Sequence, residues 1–281
     1  MLMRPPATHP KQTRLWLAPY VAIGVFALAM LVVTALLQWR ELDTARSALE
    51  GDMHWAERTI ENRLHAHIDF LAELGRDQEF KQLTYESFQV RAARYVREAA
   101  EISAILWVDI DGKIDWVAPN EATADFVGEQ LTGERLKALQ ESLRVRREVV
   151  SPDYRDGAQL PVNDIVVPVQ RGSADLGAFI AVQSLDALLR STLPTAFTTR
   201  YSLTVLDPQN REVFSNSSVK PTDRQVSGTI SLDLPNNRLG LNIIAYRSGG
   251  AWLPLVPAAL IIALTLIATV TLIQLRRHAQ H

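Results

Sequence analysis

The first apolar pattern along the chain has a helical period. Leu42, Ala45, Leu49, Met53, Ala56, Ile60, Leu64, His67, Leu71 and Leu74 recur at steps of three and four, which lines them up as one stripe. Glu41, Arg46, Glu50, Glu57, Arg58 and Glu61 fall largely off it. Gly51 and Gly75 are weak points, and Gly75 predicts the helix stop. A second helical stretch, DQEFKQLTYESFQVRAARYVREAAE, follows. The period then drops to two. AILWVDIDGKIDWV sets runs of β-formers on either side of Asp109-Ile110-Asp111-Gly112-Lys113, a hairpin signature. GERLKALQESLRVRRE returns to a helix, NDIVVPVQRG and DLGAFIAVQSL predict two strands, and LDALLRSTLP a short helix ended before Pro194.

A smaller version of the same order comes next. YSLTVLDPQNREVFSN is again strand, turn and strand with an aspartate closing the first strand. QVSGTISLDLPNNRLGLNIIAYRS adds a pair turning at Asn236-Asn237. The expected fold class is α+β: a long stalk helix and two tandem antiparallel modules.

Two runs carry no charge, residues 15–37 and 251–275. At about 1.5 Å per residue each would extend roughly 35 Å, enough for a hydrocarbon core of about 30 Å. A cleavable signal peptide is the competing reading of the first, but the run is long and no small-x-small site follows it. Pro254 and Pro257 sit where the second helix would begin. Arg4, Lys11 and Arg14 precede the first run, and Arg276 and Arg277 follow the second, so both ends are expected in the cytoplasm. The expected division is a cytoplasmic N-terminus 1–14, a transmembrane helix 15–37, a stalk 38–84, a membrane-distal module 85–195, a membrane-proximal module 196–250, a transmembrane helix 251–275 and a tail 276–281. That makes a multi-pass protein of a bacterial inner membrane with residues 38–250 outside. Ser248-Gly249-Gly250 would join the last strand to the second span. The stripe on the stalk fits either the chain's own domain or the same helix of a second copy, and a stalk favours the second, hence a homodimer.

The 281 residues carry a net charge of −2 and no cysteine, which argues against nucleic acid as a partner and excludes thiol catalysis and disulfides. Asp109-x-Asp111-Gly112 could open a calcium loop, but the twelfth position is Asn120 rather than glutamate, and strands flank it. It is read as a turn, with Gly112 supplying the positive φ. His54, His65 and His67 lack metal-ligand spacing on one helix face. No HExxH, G-x-S-x-G or phosphate-binding glycine loop is present, so neither a cofactor nor an enzymatic activity is expected. Asn216-Ser217-Ser218 is a glycosylation sequon by pattern only.

The stalk, ISAILWVDIDGKIDWVAPN, the helix after it, DIVVPVQRGSADLGAFIAVQSLDALL and the repeat at LTVLDPQNREVFSN resemble the paired PAS-like modules of bacterial CHASE and double Cache (PDC) receptors, and C4-dicarboxylate sensor kinases in particular. The resemblance covers roughly residues 38–247. It implies a ligand pocket in the first module, near residues 85–185, and a small-molecule ligand such as an organic acid. The histidine-kinase or diguanylate-cyclase output of such receptors is not carried by these residues. Within that region Trp107 and Trp116 are candidate walls, and Arg94, Tyr95 and Arg97 candidate anion contacts. Asp109 shares a strand face with Trp107, and Tyr154 and Asp164 are candidate partners from later segments. In such positions tryptophans more often form a sheet core, and such arginines more often a solvated helix face paired with Glu98 or Glu101. Two functions follow: a sensor that binds a small ligand and shifts its helices, or a ligand-free scaffold that holds another envelope protein.

Overall fold

The computed structural model describes residues 11–119, 126–152, 154–155, 161–216, 226–246 and 255–278. The chain divides into two compact units, Met1–Ser47 with Arg247–His281, and Ala48–Tyr246. The first unit holds the beginning of α1 (Lys11–Glu79) and the whole of α6 (Leu255–His278). In both helices threonines fold their hydroxyls back on the preceding turn: Thr34 to the Met30 carbonyl at 2.8 Å, Thr265 to Ile261 at 2.6 Å and Thr269 to Thr265 at 2.7 Å.

The two flanking membrane helices expected from the charge-free runs are corrected here. Among the described residues, no helix is long and apolar enough to cross a membrane. The run at 15–37 is no separate span; it is the start of a 69-residue helix that continues unbroken into the charged segment from Arg40 onward. The run at 251–275 enters the described helix only at Leu255, and that helix ends on Arg276, Arg277 and His278. The multi-pass inner-membrane placement, with 38–250 outside and both ends cytoplasmic, loses its basis with them. The N-terminal ten residues, Ser248-Gly249-Gly250 and the last three residues lie outside the described residues, as do Ser217 and Ser218 of the sequon. The architecture is α+β with two antiparallel sheets.

In the second unit α1 does not stop at Gly75; it runs on to Glu79. A Cβ at Gly75 would stand 3.2 Å from Val169, so the glycine marks a close approach of helix to sheet. Lys81, at φ 56°, turns the chain. Thr84 then caps α2 (Tyr85–Glu98) through a reciprocal box with Ser87.

The first sheet runs β2 (Ile114–Ala118), β1 (Ile102–Val108), β6 (Ala174–Ser184), β5 (Pro161–Arg171), β3 (Val149–Val150), with β4 (Tyr154–Arg155) also on β5. Its long strands β1, β5 and β6 are buried on both faces over most of their length, and alternation sorts them. Ile105, Trp107, Ile165, Val167, Phe179 and Ala181 meet Leu64, Leu71 and Leu74 of α1 and Phe88 of α2. Leu106, Val108, Val166, Ala178, Ile180 and Val182 meet Leu131 and, on α3 (Gly133–Val145), Ala138 and Leu139.

The second sheet runs β8 (Glu212–Ser215), β7 (Tyr201–Leu206), β10 (Asn237–Ala245), β9 (Ser227–Leu234). Leu203, Val205, Leu232, Leu241 and Ile243 form its core with Leu49, Ala56 and Ile60 of α1. The short helices α4 (Leu185–Thr192) and α5 (Thr195–Arg200) close this core with Leu188, Leu189 and Phe197. The stripe from Leu49 to Leu74 is therefore covered by the chain's own two sheets, and that face is not left for a second stalk. Leu234 touches both cores, and the Val150 amide donates to the Pro235 carbonyl at 2.8 Å, tying the sheets together.

Both sheets use one turn. Asp109 Oδ1 accepts the amides of Asp111 and Lys113 at 3.0 and 2.8 Å, with Gly112 at φ 89°. Asp207 Oδ1 accepts those of Gln209 and Arg211, both at 2.8 Å, with Asn210 at φ 60°. The aspartate is a turn former, as its spacing predicts.

Gly177 is where a side chain fits least. Its φ is 142°, and a Cβ would lie 2.2 Å from the Val108 carbonyl and 3.1 Å from Trp107. Gly177→Ala should lower stability by about 2–4 kcal/mol, read as an earlier midpoint in chemical denaturation of the whole chain.

Candidate functional site

The sheet of the first module separates two groups of polar residues. On the α3 side one charge is wholly buried. Asp164 lies in the middle of β5 with no exposed surface, opposite Val182. Arg135, in the first turn of α3, reaches it with both arms of its guanidinium, Nε to Oδ2 at 3.0 Å and Nη2 to Oδ1 at 3.4 Å. A buried carboxylate without a partner costs several kcal/mol, and this fork offsets that cost. The Asp164 backbone is pinned in turn: its amide donates to Ser151 Oγ at 2.8 Å, and its carbonyl accepts from the Ser151 amide at 2.9 Å. Arg135 keeps 26% of its side-chain surface exposed, so a buried charge is linked to solvent through its own counter-charge.

On the α1 side a second network surrounds Glu101, which immediately precedes β1 and is fully buried. Arg63 Nε donates to one carboxylate oxygen, His67 Nε2 lies 3.0 Å from the same oxygen, and the Ser191 hydroxyl donates to the other at 3.0 Å. Burial alone would raise the Glu101 pKa; the bonds from His67 and Arg63 outweigh it and bring it down to about 2. His67 Nδ1 faces the Tyr95 hydroxyl at 2.7 Å. Burial pushes the Tyr95 phenol up to about 12, with Arg63 opposing.

The residues singled out from the sequence are thus dispersed. Asp164 is at the α3-side ion pair. Tyr154 stands opposite Val162 in β4, two residues along β5 from Asp164, and its side chain lies outside the described residues. Tyr95 belongs to the Glu101 network and stacks on Phe70 at 3.8 Å. Trp107 and Trp116, 6.2 Å apart, pack with Phe88 and Phe179 as sheet core on the α1 side. Arg94 is exposed and pairs with Glu98 at 2.9 Å; Arg97 is exposed. Asp109 serves its turn. Sequence reasoning missed Arg135, Arg63, His67 as a carboxylate partner, and the burial of Glu101. The signal available for Asp164 was a charge inside the strand run NDIVVPV; its partner lies 29 residues earlier, beyond any local pattern.

No protein-family model matches the chain. The C4-dicarboxylate transport sensor protein DctS of Rhodobacter capsulatus is 27% identical over 269 residues, covering 94% of this chain and 38% of its own length. The chain therefore spans well under half of that relative. Among solved structures, the extracellular domain of the putative histidine kinase vpHK1S-Z8 superposes with a TM-score of 0.55 at 10% identity, covering 73% of this chain and 95% of that one. The ligand-binding domain of the Pseudomonas fluorescens chemoreceptor CtaA, in complex with L-alanine, gives 0.53 at 8% identity, with 72% and 97% covered. That of the Pseudomonas aeruginosa amino acid chemoreceptor PctC, in complex with GABA, gives 0.52 at 11%, with 72% and 100% covered. At these identities the structures establish a shared fold.

Glu101 gives the molecule an acid-sensitive joint. Its pKa in the folded chain lies below its usual 4.5, so its stabilisation is complete above pH 4.5, declines as pH falls and is gone below about 2. Denaturant titrations across that window should show a loss of about 3 kcal/mol. Glu101→Gln should be destabilised by a similar amount at neutral pH, about 3–5 kcal/mol, and should lose most of the acid dependence.

Proposed function

We propose that this chain, a sensor domain homologous to DctS with the two-module fold of extracellular ligand-binding domains, binds a small carboxylate-bearing metabolite on the α3 side of its first sheet. The observation that carries the reading is the bidentate pair of Arg135 with the fully buried Asp164. A guanidinium fork is a carboxylate receptor, and one already seated at the margin of a buried site is preorganised for it. The carboxylate beside it accepts from a cation. Together they suit a zwitterion: the ligand's carboxylate against Arg135 and its ammonium against Asp164. That the fold's other members include domains solved with L-alanine and GABA supports an α- or ω-amino acid. The module at 85–195 is then the binding module, and the one at 196–250, joined to it through Leu234 and α1, relays the change in α1 as a shift of populations. A binding role, rather than catalysis, is the function the site supports.

Homology to DctS favours a second reading, a C4-dicarboxylate. Its far carboxylate would meet Asp164 as a like charge, so this reading requires Asp164 to turn away or take up a proton.

Thermal unfolding of the whole chain with a panel of L-amino acids, GABA, succinate, fumarate and L-malate separates the two. At a hundredfold excess over Kd a ligand adds about 2.7 kcal/mol, roughly 5–10 °C in midpoint for a unit of this size. An amino acid should give that shift. Asp164→Asn should abolish it, and Arg135→Gln should weaken binding by at least about thirtyfold in calorimetry. A shift from dicarboxylates alone, kept in Asp164→Asn, selects the second reading. No shift from any member of the panel at millimolar concentration overturns both.

A further inference from the structure

Buried polar atoms on the α1 side of the first sheet are left over by the Glu101 network. Asn163 and Gln183 stand opposite each other across β5 and β6, each 1% exposed, on the face that carries Ile165 and Ala181. Among the described residues, neither the nitrogen nor the oxygen of the Asn163 amide has a hydrogen-bond partner, nor does Gln183 Nε2 or the Thr192 hydroxyl. Strand register places two of these groups near Glu101. Gln183 is also opposite Ile102, the neighbour of Glu101, and the amide of Ser184 donates to the Glu101 carbonyl at 2.8 Å. Thr192 follows Ser191, whose hydroxyl holds the Glu101 carboxylate.

Each buried amide or hydroxyl without a partner costs about 1–3 kcal/mol, so several of them side by side in a dry contact would be a large defect. A molecule that satisfies them must both donate and accept, because Asn163 presents one group of each kind and Gln183 a donor. It must be uncharged, because Arg63 and Glu101 already neutralise each other. It must be small, because the apolar residues of the core close the same face. Water meets all three requirements and commonly bridges two to four such partners.

We infer that Asn163 and Gln183 form an internal hydration site, occupied by one or more bound water molecules, at the joint between the first sheet and α1. The site lies where α1 changes from one core to the other: Ile60 belongs to the second module's core and Leu64 to the first. A hydrated polar joint at that point lets bonds to α1 exchange through water, where a dry apolar joint would have to open a void.

The test needs no ligand and stands whatever the α3 side binds. A high-resolution crystal structure of the whole chain should show water within about 3.2 Å of the Asn163 and Gln183 amides. Oxygen-17 relaxation dispersion should count at least one fewer long-lived internal water in Asn163→Leu/Gln183→Met than in the wild type. Direct bonding of the two amides to each other, or a water count that does not fall in the double variant, overturns the proposal. If the double variant does not fold, the wild-type structure decides alone.

Discussion

The packing of α1 and α4 against the first sheet depends on a single buried carboxylate. Glu101 sits at the entrance to β1 and is held by Arg63 and His67 from α1 and by Ser191 from α4, while its own carbonyl receives the amide of Ser184 at the end of β6. Four elements thereby meet at one residue, α1 and α4 through its side chain and β6 through its backbone carbonyl. Apolar contacts can slide by a methyl group at modest cost, but a buried ion pair tolerates little displacement before a charge is stranded. Glu101 therefore sets the register of α1 against the first sheet more sharply than the leucines around it do. The neighbouring cores then take their places on either side, with Ile60 and earlier residues in one and Leu64 and later residues in the other.

The duplicated turn shows how little sequence is needed to start each sheet. Asp109 and Asp207 close their first strand with the same pair of side-chain-to-backbone bonds, and a positive-φ residue stands three places on in both. One tolerates glycine and the other asparagine, the two residues for which that backbone conformation is least costly. The pattern explains why the aspartates were readable as turn formers from spacing alone. Their partners are within four residues, so local chemistry suffices.

Legibility in the sequence ended where partners became distant. The long strands, both aspartate hairpins and the existence of the stripe on α1 follow from periodicity; the short β3 and β4 do not, and the stripe is covered by the chain's own sheets where a second stalk was expected. The helix stop at Gly75 was misread because a glycine in a helix looks the same whether it ends the helix or admits a neighbouring sheet; here Val169 lies against it. The charge-free runs were misjudged because composition says nothing of where a helix begins or what it continues into. Arg94 and Arg97, candidate anion contacts, stand on the solvated helix face that was their alternative reading, whereas Arg135, with no local distinction, reaches the buried Asp164. Glu101 was grouped with solvated helix charges although it lies beyond the end of α2, where its side chain turns under α1.

The two polar sites are separated by one sheet and connected by adjacent residues. Side chains alternate along a strand, so Asp164 faces α3 while Asn163, next to it, faces α1. A strand bonded on both edges cannot rotate one residue without its neighbour. On the proposed function, a ligand competing for the bond between Asp164 and Arg135 would therefore also act on Asn163 and, across the pair, on Gln183. Gln183 lies opposite Ile102, the neighbour of the Glu101 that joins α1. Dry leucine packing would resist such a displacement; polar groups that exchange partners can accommodate it. The link from the proposed binding face to the long helix would in this sense rest on the alternation of a single β-strand, with the buried ion pair as its fixed point.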